Sequence, residues 1–209
     1  MTIPNLMQKY TEQTTVKKFQ KFYSTVSNAY SLAKKENGGI DEWGLTGRNS
    51  ESTEKIYQIL FKPYFKIAKD CGVDNTGNCI SNKRYKQFKD TAYIYYYGTD
   101  DRFYKITLED GATAWMFDAE STPDMVVVNY DVNGAKEPNQ WGRDLFEIRI
   151  KKDIAYPAGS PKYEGQTAFK SNCNKNASGV YCSAWVIYKG NMDYLHCDDL
   201  DWNGKDKCK

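Results

Sequence analysis

The first 37 residues show one long amphipathic helical pattern. Apolar side chains recur at spacings of three and four, and Gln, Lys and Glu fill the opposite face. The stripe comprises Ile3, Leu6, Met7, Tyr10, Thr14, Phe19, Phe22, Tyr23, Val26, Tyr30 and Ala33. Asn37-Gly38-Gly39 stops it. The pattern predicts a continuous helix over residues 2–35, about 50 Å long. A coiled coil is the alternative for such a length, although the stripe is irregular.

The rest of the chain changes from helical to strand patterning. Residues 53–70 predict a shorter helix, which Pro63 kinks or splits. From about residue 90 the apolar period is two, which favours strands. The predicted strands are 91–97, 104–108, 112–117, 125–130, 144–150 and 183–188, with a hairpin turn at Asp110-Gly111 and a loop over 156–165.

This order of elements predicts an α+β fold, in which the second half of the long helix covers an antiparallel sheet. Three regions follow along the chain. Residues 1–37 form the long helix, residues 38–90 form a helical and loop connecting region, and residues 91–209 form a β-sheet head. We expect disulfides to staple the C-terminal part of that head.

Composition narrows the class of protein. Lys and Arg number 29 against 27 Asp and Glu, which offers no electrostatic case for binding nucleic acid or an anionic membrane. The 17 Tyr and 5 Trp suit polar β-sheets and protein contact surfaces equally. No stretch of the sequence approaches the roughly 20 apolar residues of a membrane span.

Six cysteines point to an oxidising compartment. They are Cys71, Cys79, Cys173, Cys182, Cys197 and Cys208, and none forms a C-x-x-C pair. Their even number and short spacings in polar loops predict disulfides. About 15 connectivities are open for six cysteines, and sequential pairing is our working prediction. Reduced cytosolic thiols are the alternative. Export is thereby implied, and because the sequence shows no signal peptide we expect a targeting segment to have been removed.

Three stretches resemble prepilin-type proteins, the family of type IV pilins and type II secretion pseudopilins. Met1-Thr2-Ile3-Pro4-Asn5-Leu6-Met7, continuing to residues 22–30, is similar to the segment just after that family's hydrophobic stretch. The second stretch is Asp131-Val132-Asn133-Gly134 with Pro138-Asn139 and the residues 142–146. The third covers residues 184–195. Residues 40–90 and the tail after Leu195 match nothing in the family pattern.

The resemblance implies a structural subunit of a pilus or pseudopilus, not an enzyme. It implies a bacterial protein that is anchored in the inner membrane by a missing N-terminal segment and then exported into a helical filament. Its partners would be copies of itself or related pilins, contacted through the long helix. The alternative is an extracellular adhesin or carbohydrate-binding module, for example at a filament tip.

Sequence motifs favour metal binding over catalysis. No catalytic motif is present, and the single histidine, His196, is interpreted as an exposed loop residue. The run Asp199-Leu200-Asp201-Trp202-Asn203-Gly204 matches the first half of a calcium loop, with side-chain ligands Asp199, Asp201 and Asn203. A bond between Cys197 and Cys208 would pre-organise it. A second calcium candidate combines Asp131, Asn133 and Asp144. Ordinary Asx turns are the alternative for both.

Overall fold

A single long helix opens the chain in a computed structural model that describes residues 3–119, 122 and 124–208. This helix, α1, spans Ile3–Asn37. The prediction of one continuous helix is confirmed over these residues, while Thr2 lies outside the described part. Gly38 ends the helix with a positive φ of 76°, and its N–H donates to the carbonyl of Lys34 at 3.0 Å.

Six antiparallel strands form one sheet in simple sequential order. They are β1 (Ile67–Gly72), β2 (Tyr104–Leu108), β3 (Thr113–Asp118), β4 (Met125–Asp131), β5 (Leu145–Lys151) and β6 (Ile154–Pro157). The α+β class is therefore confirmed, and β2 to β5 lie within one residue of their predicted bounds. Both edges are blunted against further pairing, since β1 has two register shifts and β6 is short and ends in proline.

The sheet is covered on both faces, so alternate residues of its central strands enter two different cores. On one face Met116, Tyr130 and Phe146 pack with α1 and the second helix. On the other, Trp115 and Leu145 pack with the segment that leads into β2, including Tyr85 and Tyr97. The sheet is thus a middle layer, not the outer wall of a single core.

Shorter helices complete the fold. These are α2 (Ser50–Ile56, continued by a π turn over Tyr57–Phe61), α3 (Pro161–Glu164), α4 (Ala168–Asn172) and α5 (Cys182–Lys189). Short 3₁₀ turns lie at Ile40–Glu42 and Asp193–Leu195. The side chain of Asn49 caps α2 by accepting from the Ser52 N–H at 2.8 Å.

Four local predictions were wrong. The strand predicted over 183–188 is helix α5, and the helix predicted over 53–70 ends at Phe61, after which Ile67–Gly72 forms β1. The predicted loop over 156–165 contains the end of β6 and helix α3. Residues 91–97 form no ladder, and only Ala92 makes an isolated bridge, to Lys86.

Three disulfides join the cysteines in sequential order, as predicted. The bonds are Cys71–Cys79, Cys173–Cys182 and Cys197–Cys208. Their cysteines are 8, 9 and 11 residues apart in the sequence, respectively. The first lies in the core on the side of Trp115, and the second in the core on the side of α1. The described chain has no free cysteine.

Candidate functional site

The first part of α1 carries an exposed apolar surface. Leu6, Met7 and Tyr10 are 57%, 60% and 67% exposed. From residue 6 to residue 14 every side chain is exposed or half-buried, and burial begins at Thr15 and Val16. At 1.5 Å per residue, residues 6–14 extend over about 14 Å of helix without a fully buried side chain. We call residues 6–14, none of which is fully buried, the free half of the helix, and residues 15–37 the packed half.

The packed half of α1 is fixed to the sheet by stacked aromatic rings. The centre of the Phe22 ring lies 4.0 Å from that of the Tyr130 ring, and the centre of the Phe19 ring lies 4.6 Å from that of the Phe146 ring. Further along, the Tyr23 hydroxyl donates to the Ala155 carbonyl at 3.1 Å, and Lys34 pairs with Asp153. Rings in this arrangement add about 0.5–1.5 kcal/mol per pair beyond the area they bury. This half of α1 is thus an integral part of the head.

A groove of about 620 Å³ lies where the two halves of α1 meet. One wall is α1, from Gln8 to Lys18, and the other combines the loop over residues 131–144 with Met192 and Leu195. Its lining combines apolar, uncharged polar and charged side chains. The groove is continuous with the exposed stripe, because Tyr10 belongs to both.

The loop over residues 131–144 is held by two buried carboxylates. Asp144 accepts from the backbone N–H groups of Asn139 and Gln140 at 2.9 and 2.7 Å, and Asp131 accepts from that of Asn133 at 3.1 Å. With its amide oriented to donate, Asn139 also lies 3.1 Å from Asp131. Burial first, and for Asp131 also the charge of Asp144, raises the pKa of both carboxyls.

This geometry brings together the second calcium candidate, Asp131, Asn133 and Asp144. The carboxylate oxygens are met by N–H donors, which is how an acidic side chain organises a loop without a metal ion. The pilin-like stretch over residues 131–146 therefore shapes one wall of the groove. Calcium binding at this loop stays a prediction.

The C-terminal candidate has its carboxylates paired with lysines. Lys205 Nζ lies 2.7 and 2.8 Å from the two oxygens of Asp199, and Lys170 lies 2.6 Å from Asp201. Asn203 contributes its backbone N–H to Asp201 at 2.9 Å. Lys170 chiefly, and then this N–H, lowers the pKa of the Asp201 carboxyl. Over the described chain there is no group of three or more His, Cys, Asp or Glu side chains that could hold a metal ion.

His196 is exposed, as predicted, and the structure also gives it a partner on α1. Its Nε2 lies 3.0 Å from both carboxylate oxygens of Glu12. Glu12 lines the groove, and its contact with His196 joins α1 to the residue just before the Cys197–Cys208 disulfide loop. No local pattern could predict a pair that is 184 residues apart in the chain.

Comparison with known proteins gives a family without a described activity. A family model matches residues 5–192, which include most of α1 and all six strands. No curated protein and no solved structure gives a significant match. Among the residues that the structure describes, none of the helices is both long and apolar enough to cross a membrane. The match covers most of the chain, and the protein therefore belongs to a family of unknown function, DUF6613.

Proposed function

We propose that this protein is a structural subunit of a type IV pilus or of a type II secretion-like pseudopilus, and that its copies assemble through α1. The observation that carries the proposal is the division of α1 into two halves. The packed half is stacked on the sheet, while the free half exposes Leu6, Met7 and Tyr10. Clustered apolar side chains on a helix end favour burial against a partner.

The assembly we infer is open and repetitive. If the free half of one copy contacts a different surface on the next, the contact is heterologous, and a rotation that does not close produces a helical filament. The groove beside Tyr10 is a suitable receiving surface, because it is continuous with the exposed stripe. The role would be mechanical and not catalytic, and the partners would be copies of this chain or related pilins.

The disulfides and the resemblance support an exported subunit. Three closed disulfides suit an oxidising compartment. In prepilin-type proteins, which residues 1–7 resemble, an apolar segment anchors the subunit in the inner membrane before assembly. We therefore propose the bacterial cell envelope or an extracellular filament as its location.

The test uses the full-length gene in its source cell. Replacing Leu6 and Met7 together by Lys should reduce the protein in the sheared surface-filament fraction at least tenfold, because charges would enter the proposed contact. Leu32→Lys is the matched control, since Leu32 is 48% exposed on the packed half of the same helix. Both variants should keep the melting temperature of the unaltered protein.

Filaments that persist in the Leu6/Met7 variant would contradict the proposal. Equal loss in both variants would also count against it, since the effect would then come from added charge and not from the free half of α1.

A further inference from the structure

An exposed loop on the face of the sheet opposite α1 presents aromatic and charged side chains together. Ile94 is 65% and Tyr96 is 47% exposed, while Tyr97 is buried. Beside them is an open depression of about 470 Å³, bordered by Tyr95, Tyr96, Thr99, Asp100, Asp101 and Arg102. We call this depression the Tyr96 site. It lies outside α1 and the groove, so the proposed assembly does not use it.

The backbone beneath the Tyr96 site is held from inside the protein. Lys105 is fully buried, and its ammonium group donates to the carbonyl of Asp100 at 2.6 Å and to that of Val73. Arg48 donates to the Tyr95 hydroxyl at 2.5 Å. The Tyr97 ring packs on Trp115, with the two ring centres 5.0 Å apart. A loop anchored at three points loses little conformational entropy when a ligand binds.

The polar groups at the Tyr96 site are also fixed. Arg102 donates to both oxygens of Asp100, at 2.8 Å from Nε and 2.6 Å from the second nitrogen. This bidentate ion pair holds the carboxylate and the guanidinium in one orientation. The Arg84 guanidinium lies 4.2 Å from the centre of the Tyr96 ring, which restrains that ring.

We propose that the Tyr96 site binds a neutral oligosaccharide. The C–H face of a sugar ring is apolar and packs on an aromatic ring, while its hydroxyls hydrogen-bond to oriented carboxylate and guanidinium groups. The inference goes beyond the filament role and does not rest on it.

The charge and size of the Tyr96 site distinguish this ligand from others. Asp74, Asp100 and Asp101 offset Arg84, Arg102 and the buried Lys105, which leaves the charge of Arg48 and hence little net attraction to an acidic glycan or to nucleic acid. The four exposed residues at the site, Ile94, Tyr96, Thr99 and Asp101, also fall far short of the roughly 800 Å² per partner in a stable protein interface. A neutral, hydroxyl-rich oligosaccharide fits both observations.

The experiment is a titration of the isotope-labelled protein, followed by NMR. The probes are oligomers of glucose, of N-acetylglucosamine and of mannose, with a uronic acid oligomer as the acidic counterpart. At least one neutral oligomer should shift signals of residues 94–102, with a Kd of roughly 1 mM. Tyr96→Ala should weaken that binding at least tenfold. Tyr188→Ala is the matched control, because Tyr188 is 46% exposed on α5, and it should leave the Kd unchanged.

Three results would overturn the proposal. The first is that none of the neutral oligomers shifts these signals, and the second is that only the acidic oligomer does. The third is that Tyr96→Ala binds as well as the unaltered protein. Concentration-dependent shifts at residues 94–102 without sugar would reveal a protein contact instead. The Leu6/Met7 variant should bind the sugar normally, so this result and the filament result are separable.

Discussion

The stacking of α1 on the sheet can be tested by removing one aromatic ring. Phe19 is fully buried, with its ring 4.6 Å from that of Phe146 and 6.0 Å from that of Tyr130. Phe19→Ala should lower the free energy of unfolding by about 3–5 kcal/mol, since it loses apolar burial and leaves a cavity that the sheet cannot fill. For a chain of 209 residues this corresponds to roughly 6–20 °C in Tm, at about 2–4 °C per kcal/mol.

The assay is equilibrium unfolding in urea, followed by circular dichroism with the disulfides intact. The midpoint should fall while the m-value is unchanged, because the same surface is exposed on unfolding. Tyr10→Ala is the matched control, an aromatic truncation on the same helix at a position that is 67% exposed. It should change stability by no more than about 0.5 kcal/mol. Equal losses in the two variants, or a loss below about 1 kcal/mol for Phe19→Ala, would refute the division of α1 into a free and a packed half.

Two further predictions concern charged groups. Burial lowers the pKa of Lys105 to about 8. Between pH 8 and about 10.5 the unfolded chain therefore binds this proton while the folded protein does not. Over this range the unfolding free energy of the unaltered protein should rise relative to that of Lys105→Met. A pH-independent difference between the two proteins would contradict this. Calcium at Asp199 must displace Lys205, so it should raise Tm more in Lys205→Gln than in the unaltered protein, and Asp201→Ala should abolish the rise. If calcium leaves Tm unchanged in both Lys205→Gln and the unaltered protein, the loop is an ordinary acidic turn.

The long helix was predictable because its buried and exposed faces alternate with a clear period. The stripe through Phe19, Phe22 and Val26 repeats over many turns, and Gly38 ends it locally. The strands β2 and β3 were equally readable, since the Asp110-Gly111 turn lies between two short strands. The sequential disulfides followed from polar loops of 8–11 residues, whose ends meet without help from distant parts of the fold.

Prediction from the sequence failed for helix α5 and for residues 91–97. Helix α5 is buried over Cys182–Val186, so its apolar run has no strand or helix period to distinguish. Gly190, in the left-handed conformation just after α5, was the available helix signal. Residues 91–97 do alternate between Tyr93, Tyr95 and Tyr97 inside and Ile94 and Tyr96 outside, but no neighbouring strand pairs with them.

The sequence by itself determined the long helix, the central strands, the α+β class and the polar loops that the disulfides close. Each of these depends on residues that are near one another in the chain. Only the tertiary structure decided that both faces of the sheet are covered, that Glu12 meets His196, and that Lys105 anchors the loop beneath Tyr96. Contacts of this kind join segments whose separation along the chain carries no periodic signal, so their geometry exists only once the layers have packed.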